Sequence, residues 1–91
     1  MFRITEIPKD EETVTLRLEG KVIDMWIPEL KRICLYHRKE KNKRVVLDFS
    51  GVTFIDDNGV RMLESIKDGR IEIINCSLLI DSLLRNLIIN K

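Results

Sequence analysis

Residues 44–64, RVVLDFSGVTFIDDNGVRMLE, carry the clearest change of period in the chain. Val45, Val46, Leu47 and Phe49 form a short, β-branched-rich apolar run, the pattern of a central strand covered on both faces. Asp56-Asp57-Asn58-Gly59 breaks that run. From Val60 the spacing turns helical, with Val60, Leu63 and Ile66 on one face and Arg61, Glu64 and Asp68 on the other. Asp57 stands where a carboxylate can accept the orphan N–H groups of a first turn. Gly69 stands where a left-handed cap would close the helix. The pattern therefore displays Asp57 and Asn58 at the carboxyl end of a strand and the amino end of a helix. Open α/β sheets place their functional surface there.

The flanks complete the layer. Phe2-Arg3-Ile4 opens an alternating strand that fades at Pro8, and Lys9-Asp10-Glu11-Glu12 reads as a charged turn. Residues 13–19 alternate again, with Val14, Leu16 and Leu18 facing inward and Gly20 ending the strand. Two such runs predict an antiparallel hairpin. Lys21-Val22-Ile23-Asp24 leads into a helix running to about Lys41, with Pro28 near its start. Its apolar stripe holds Ile27, Leu30, Ile33, Cys34 and His37, and Trp26 if the helix begins early; Leu35 and Tyr36 lie off it. Residues 70–75 form a further strand with Ile71, Ile73 and Ile74.

Ser77 is an N-cap candidate for a final helix over residues 78–90. There Leu79, Ile80, Leu83, Leu84, Leu87 and Ile88 cover about half the wheel, wider than the ~100° stripe of a single contact. Leu78 and Ile89 fall on the polar side. Such a helix is wedged against two neighbours or meets another molecule. The order β-β-α-β-α-β-α predicts one α/β domain over residues 1–91, a mixed sheet with helices packed on it.

Charge and composition remove several classes of function. Sixteen basic against fifteen acidic residues leave a net charge of +1, which argues against a dedicated nucleic-acid binder. No apolar run reaches membrane-spanning length, and Met1-Phe2-Arg3 does not open a secretory signal. Cys34 and Cys76 lie far apart in apolar patterns, which suits reduced thiols and a cytoplasmic protein. The basic run 38–44 reads as cations favoured at a helix C-terminus more readily than as a phosphate patch.

Candidate chemistry is thin. Asp48, Asp56 and Asp57 have permissive spacing for magnesium, but no Gly-rich phosphate loop accompanies them, so no metal is expected. Ser50, Ser65, Ser77 and Ser82 lack a credible histidine partner, and His37, the one histidine, reads as a half-buried spacer. No G-x-G-x-x-G follows a strand. On residues alone the chain is a small recognition module without cofactor, and an enzyme is disfavoured.

LDFSGVTFIDDNGVRML closely resembles the signature of STAS domains, the family of bacterial anti-sigma-factor antagonists. The usual form is an apolar strand ending in D-(L/F)-S-x-V-x-(F/Y)-(I/M)-D-S-S-G, followed by a helix. VTLRLEGKVID, PEL and NCSLLIDSLLRNL resemble the family's flanking segments in the right order. The resemblance implies a STAS-like fold and a partner that is a serine kinase sequestering a sigma factor. That kinase phosphorylates the second serine of D-S-S-G, and the modification disrupts docking through bulk and like charge.

Carried over by position, Asp56 matches the family aspartate and Gly59 the glycine, while Asp57 replaces the first serine and Asn58 the phosphoacceptor. Asn58 has no hydroxyl, so phosphorylation is not expected there. Arg61 departs from the usual small residue, and Asp24 comes one position late against G-x-(L/V)-D. The expected docking surface is Asp56, Asp57, Asn58, Gly59, Arg61 and the Asp24 region. Asn58 is either a locked switch, docking-competent like unmodified serine, or merely part of a well-capped helix start. Rival readings are a subunit of a larger assembly, such as a transport-ATPase accessory or stress-sensing complex, and a nucleotide-binding protein. A homodimer is left open, and neither nucleic acid nor membrane insertion is expected.

Overall fold

The computed structural model describes residues 2–66 and 69–89, with side chains through Arg85. Its elements are β1 (Phe2–Pro8), β2 (Thr13–Val22), a 3₁₀ turn (Asp24–Trp26), α1 (Ile27–Leu35), a π-helical turn (Tyr36–Glu40), β3 (Arg44–Ile55), α2 (Asp57–Ser65), β4 (Ile71–Ile74) and α3 (Leu78–Ile89). The sheet order is β1-β2-β3-β4. β1 and β2 form the expected antiparallel hairpin, and the β2–β3 and β3–β4 pairs are parallel. The α/β order is the one the apolar periods imply.

Alternation decides which way each strand faces. Val14 pairs with Val45 and Leu16 with Leu47, so these residues share one face of the sheet. With Leu18 and Phe49 they join Leu30 and Cys34 of α1, Val60 and Leu63 of α2, and Ile80 and Leu84 of α3 in one core. Each such side chain, once fully buried, contributes about 1.5–3 kcal/mol, so this layer outweighs any surface contact. Val46 is buried but does not join that cluster, and Asp48 shares its side of the strand. The helices thus cover the central strand on one face, and not on both as its unbroken apolar run suggested.

Asp48 is held on that other face. Its Oδ1 accepts from Ser50 N at 2.9 Å and Asn75 Nδ2 at 3.1 Å, and Oδ2 lies 3.8 Å from Arg17 Nε. The Ser50 N–H foremost, then the Asn75 and Ser50 side chains and Arg17, hold its carboxyl below the usual carboxylate range against the opposing effect of burial.

Four boundaries differ from the sequence pattern. Gly20 does not end β2: at φ 104° it carries the strand through a register shift to Val22. A side chain would be strained in that conformation. The first helix is not continuous, because a 3₁₀ turn precedes α1 and a π turn follows it, with Lys41 N donating to Tyr36 O. Asn42, at φ 52°, then turns the chain into β3. Leu35 packs against the core despite lying off the stripe, where the π turn comes against β3. His37 is buried, not half-buried as expected, and is bonded to Glu6. Helix α2 closes at Ser65 with Ile66 as its C-cap, so Gly69 falls too late to cap it, and Asp68 lies outside the described residues.

In α3 the Ser77 hydroxyl accepts from Ile80 N at 3.2 Å, the expected cap. Among the described residues, the buried stripe is narrower than the leucine count implied. Ile80 and Leu84 line the contact with α2 and β3, while Leu78 is 91% and Leu79 57% exposed. The side chains of Leu87, Ile88 and Ile89, and Asn90, lie outside the described residues. Both cysteines are free thiols, and burial pushes Cys34 up to about 12, which keeps it protonated and inert. None of the described helices is long and apolar enough to cross a membrane.

Because the folded-state pKa of Asp48 is depressed, its stabilisation is present above the unfolded value and is lost as pH falls through the folded one. Asp48→Asn should therefore melt below wild type at pH 7, with the gap narrowing below about pH 4. Calorimetric scans of both proteins across that range check it.

Candidate protein-docking site

β3 runs straight into α2, and Asp56 is the single residue between them. It has extended backbone, φ −91° and ψ 176°, which is the N-cap conformation. Its Oδ1 accepts from Gly59 N at 2.7 Å, and its carbonyl accepts the first helical bond from Val60 N. Asp56, not Asp57, is therefore the cap. The extended backbone ends one residue sooner than an Asp57 cap requires, so the helix starts one residue earlier, at Asp57. Asp57 sits in the first turn, exposed, where a carboxylate complements the helix dipole.

Asp56 also reaches across the sheet. Its N–H donates to Val22 O at 3.2 Å, and its Oδ2 accepts from Asp24 N at 3.3 Å. This brings the start of the 3₁₀ turn beside the start of α2. Asn58 Nδ2 then donates to Asp24 Oδ1 at 2.9 Å, and Arg61 Nη1 donates to Asn58 Oδ1 at 3.4 Å. Asp24, Asp56, Asn58 and Arg61 form one connected network, exposed except for the half-buried Asp56. The late position of Asp24 in its motif does not keep it from bonding to Asp56 and Asn58.

Gly59 stands behind this surface. It is buried, and a Cβ there would lie 2.7 Å from Ile55 Cγ1 and 3.0 Å from Val22 O. Its part is to let α2 approach the ends of β2 and β3. One exposed neighbour was not read from the sequence. Met25 follows Asp24 directly and is 72% exposed. Its only signal was an apolar residue between an aspartate and the core-facing Trp26. Among the described residues, no three His, Cys, Asp or Glu side chains gather as a metal site. Asp48 lies eight residues up the chain from Asp56, on the order of 25 Å of strand away.

The described residues form a one-faced α/β layer with a capped polar turn at the head of the helix that follows its central strand. The family model for the STAS domain matches residues 5–77, and the chain belongs to that family. No curated protein matches it in sequence. Among solved structures it is similar to the anti-sigma factor antagonist SpoIIAA in its unphosphorylated form: 20% identity, TM-score 0.68, covering 91% of this chain and 82% of that one. The phosphorylated form of the Bacillus cell fate determinant SpoIIAA gives 18%, 0.67, 92% and 82%. The STAS domain of an antisigma-factor antagonist from Rhodobacter sphaeroides gives 20%, 0.62, 80% and 85%. The shared fold is the SpoIIAA-like one that the family resemblance implied.

If Asp56 is the cap, Asp56→Ala should cost about 1–2 kcal/mol and Asp57→Ala clearly less. Urea denaturation of the two variants separates them. Gly59→Ala should cost about 1–3 kcal/mol, because neither Val22 O nor the buried Ile55 can move aside freely.

Proposed function

We propose that this chain is a non-enzymatic protein-docking module of the partner-switching kind, with a surface formed by Asp24, Asp56, Asp57, Asn58 and Arg61 over the buried Gly59. One observation carries the reading. Asn58, which stands where the family resemblance puts a phosphoacceptor, is exposed and held by Asp24 on one side and Arg61 on the other. An amide can donate to one neighbour and accept from the other at once, so the turn is ordered without charge at position 58.

The partner that fits is a serine-kinase-type anti-sigma factor, or an ATPase-fold subunit of a signalling complex. SpoIIAA, which has this fold, is known in unphosphorylated and phosphorylated forms. In this chain the kinase has no hydroxyl to modify at position 58. The module is a constitutive or differently regulated antagonist in the cytoplasm.

Affinity capture from the native cell with wild type, Asn58→Ser and Asn58→Asp as baits tests this. Wild type and Asn58→Ser should retain one ATPase-fold partner that Asn58→Asp loses by about tenfold or more, since its carboxylate would face Asp24. Identical partners for all three baits would reduce the turn to a helix cap.

A second reading, a subunit of a larger assembly, is favoured by the exposure of Leu78 and Leu79 on the first turn of α3. Size-exclusion chromatography with light scattering should then show a complex that Leu78→Ser with Leu79→Ser dissolves. A monomer for both proteins would remove that reading.

A further inference from the structure

The outer strand β1 and helix α1 flank a groove of about 370 Å³ lined by Glu6, Glu29, Arg32, Ile33, Tyr36 and His37. Its place follows from the register. β1 is an edge strand, and Glu6 pairs with Leu16, so its side chain stands on the helix-covered face. An inward charge on an edge strand also deters edge-to-edge pairing, which is the bland account of Glu6. That account leaves the rest of the groove unexplained.

Glu6 Oε1 is bonded to His37 Nε2 at 2.5 Å. An ionised carboxylate only accepts, so the imidazole proton sits on Nε2. Among the described residues, Nδ1 of His37, a residue only 8% exposed, is buried with no partner. Such an arrangement is retained at a cost in desolvation, inside a π turn, a feature frequent at functional sites. Across the groove, Glu29 Oε1 accepts from Arg32 at 2.6 Å. Among the described residues, neither Glu6 nor Glu29 has a bond to its second oxygen, and both side chains are about half exposed. Among the side chains that line the groove, two carboxylates stand against the single guanidinium of Arg32. Its other walls are Ile33 and the half-exposed Tyr36. The Tyr36 ring already attracts a cation, since Lys41 Nζ lies 5.8 Å from its centroid.

We propose that this groove binds an organic cation, an ammonium or guanidinium carried on an aliphatic stem. The head group is taken by the second oxygens of Glu6 and Glu29, and the stem lies against Ile33 and Tyr36. Free amines and the lysine or arginine side chain of an extended peptide share this chemistry. The peptide would in addition meet the unpaired edge of β1.

Isotope-labelled protein titrated with putrescine, and with butanediol as the uncharged match at equal ionic strength, tests the site by amide shifts. Putrescine should give saturable shifts centred on Glu6, Ile33, Tyr36 and His37, and butanediol none. Glu29→Gln, which leaves the Glu6–His37 pair in place, should weaken binding about tenfold. Glu6→Gln should weaken it at least as much, and Asp57→Asn at the docking turn should leave it unchanged. A hexapeptide with one central lysine distinguishes the sources. Tighter binding than putrescine, with shifts running along Phe2–Pro8, marks a peptide site, and equal or weaker binding marks a free-amine site. Shifts that do not saturate, that butanediol reproduces, or that survive both glutamate substitutions with unchanged affinity would overturn the proposal.

Discussion

Two backbone N–H groups from distant parts of the chain, those of Gly59 and Asp24, converge on the carboxylate of Asp56. The turn at the head of α2 depends on that convergence. One oxygen starts α2 by satisfying a donor the helix cannot satisfy itself, and the other fixes the entry to the 3₁₀ turn. The backbone of Asp56 is in turn anchored to Val22 at the end of β2. Three element ends are thereby held by one residue, two through its carboxylate oxygens and one through its backbone N–H. Losing the carboxylate would leave donors unsatisfied on both sides at once, a larger effect than losing either bond alone.

With that frame set, the electrostatics at position 58 follow. Asp24, Asp56 and Asp57 bring three carboxylates to one patch, and Arg61 brings one guanidinium. The first turn of α2 offsets part of the excess through its dipole. A neutral amide at position 58 adds nothing to the remainder and bridges two of its members. A carboxylate or phosphate there would add like charge where Asn58 now donates to Asp24. The patch is thus poised so that the charge of one residue decides whether it is held together or pushed apart.

What could be read from the residues was what local periodicity controls. The alternation at Val14, Leu16 and Leu18, the run from Val45 to Phe49, and the helical spacing from Val60 each reappear in the described fold. What escaped reading depends on contacts between distant segments. Nothing near Asp24 announces a partner thirty-two residues away. The cap is Asp56 and not Asp57, and the bonds that single it out, to Val22 O and Asp24 N, come from a segment more than thirty residues away. Leu79 repeats at core spacing yet faces outward, since α3 rests on the Ile80–Leu84 line against α2 and β3. The π turn around His37 has no apolar signature, only a longer hydrogen-bond ring from Lys41 to Tyr36.

The bond from Gly59 N to Asp56 also governs how the molecule ages. Asn-Gly steps lose ammonia when the glycine nitrogen attacks the asparagine side-chain carbonyl and closes a succinimide ring. Here that nitrogen is donated to a carboxylate at 2.7 Å, inside a helical turn, behind a buried residue with no room to swing. The native turn therefore shields Asn58 from a spontaneous conversion to aspartate or isoaspartate. Only molecules that open at the head of α2 are exposed to it, so the rate of that chemistry becomes a clock for local opening.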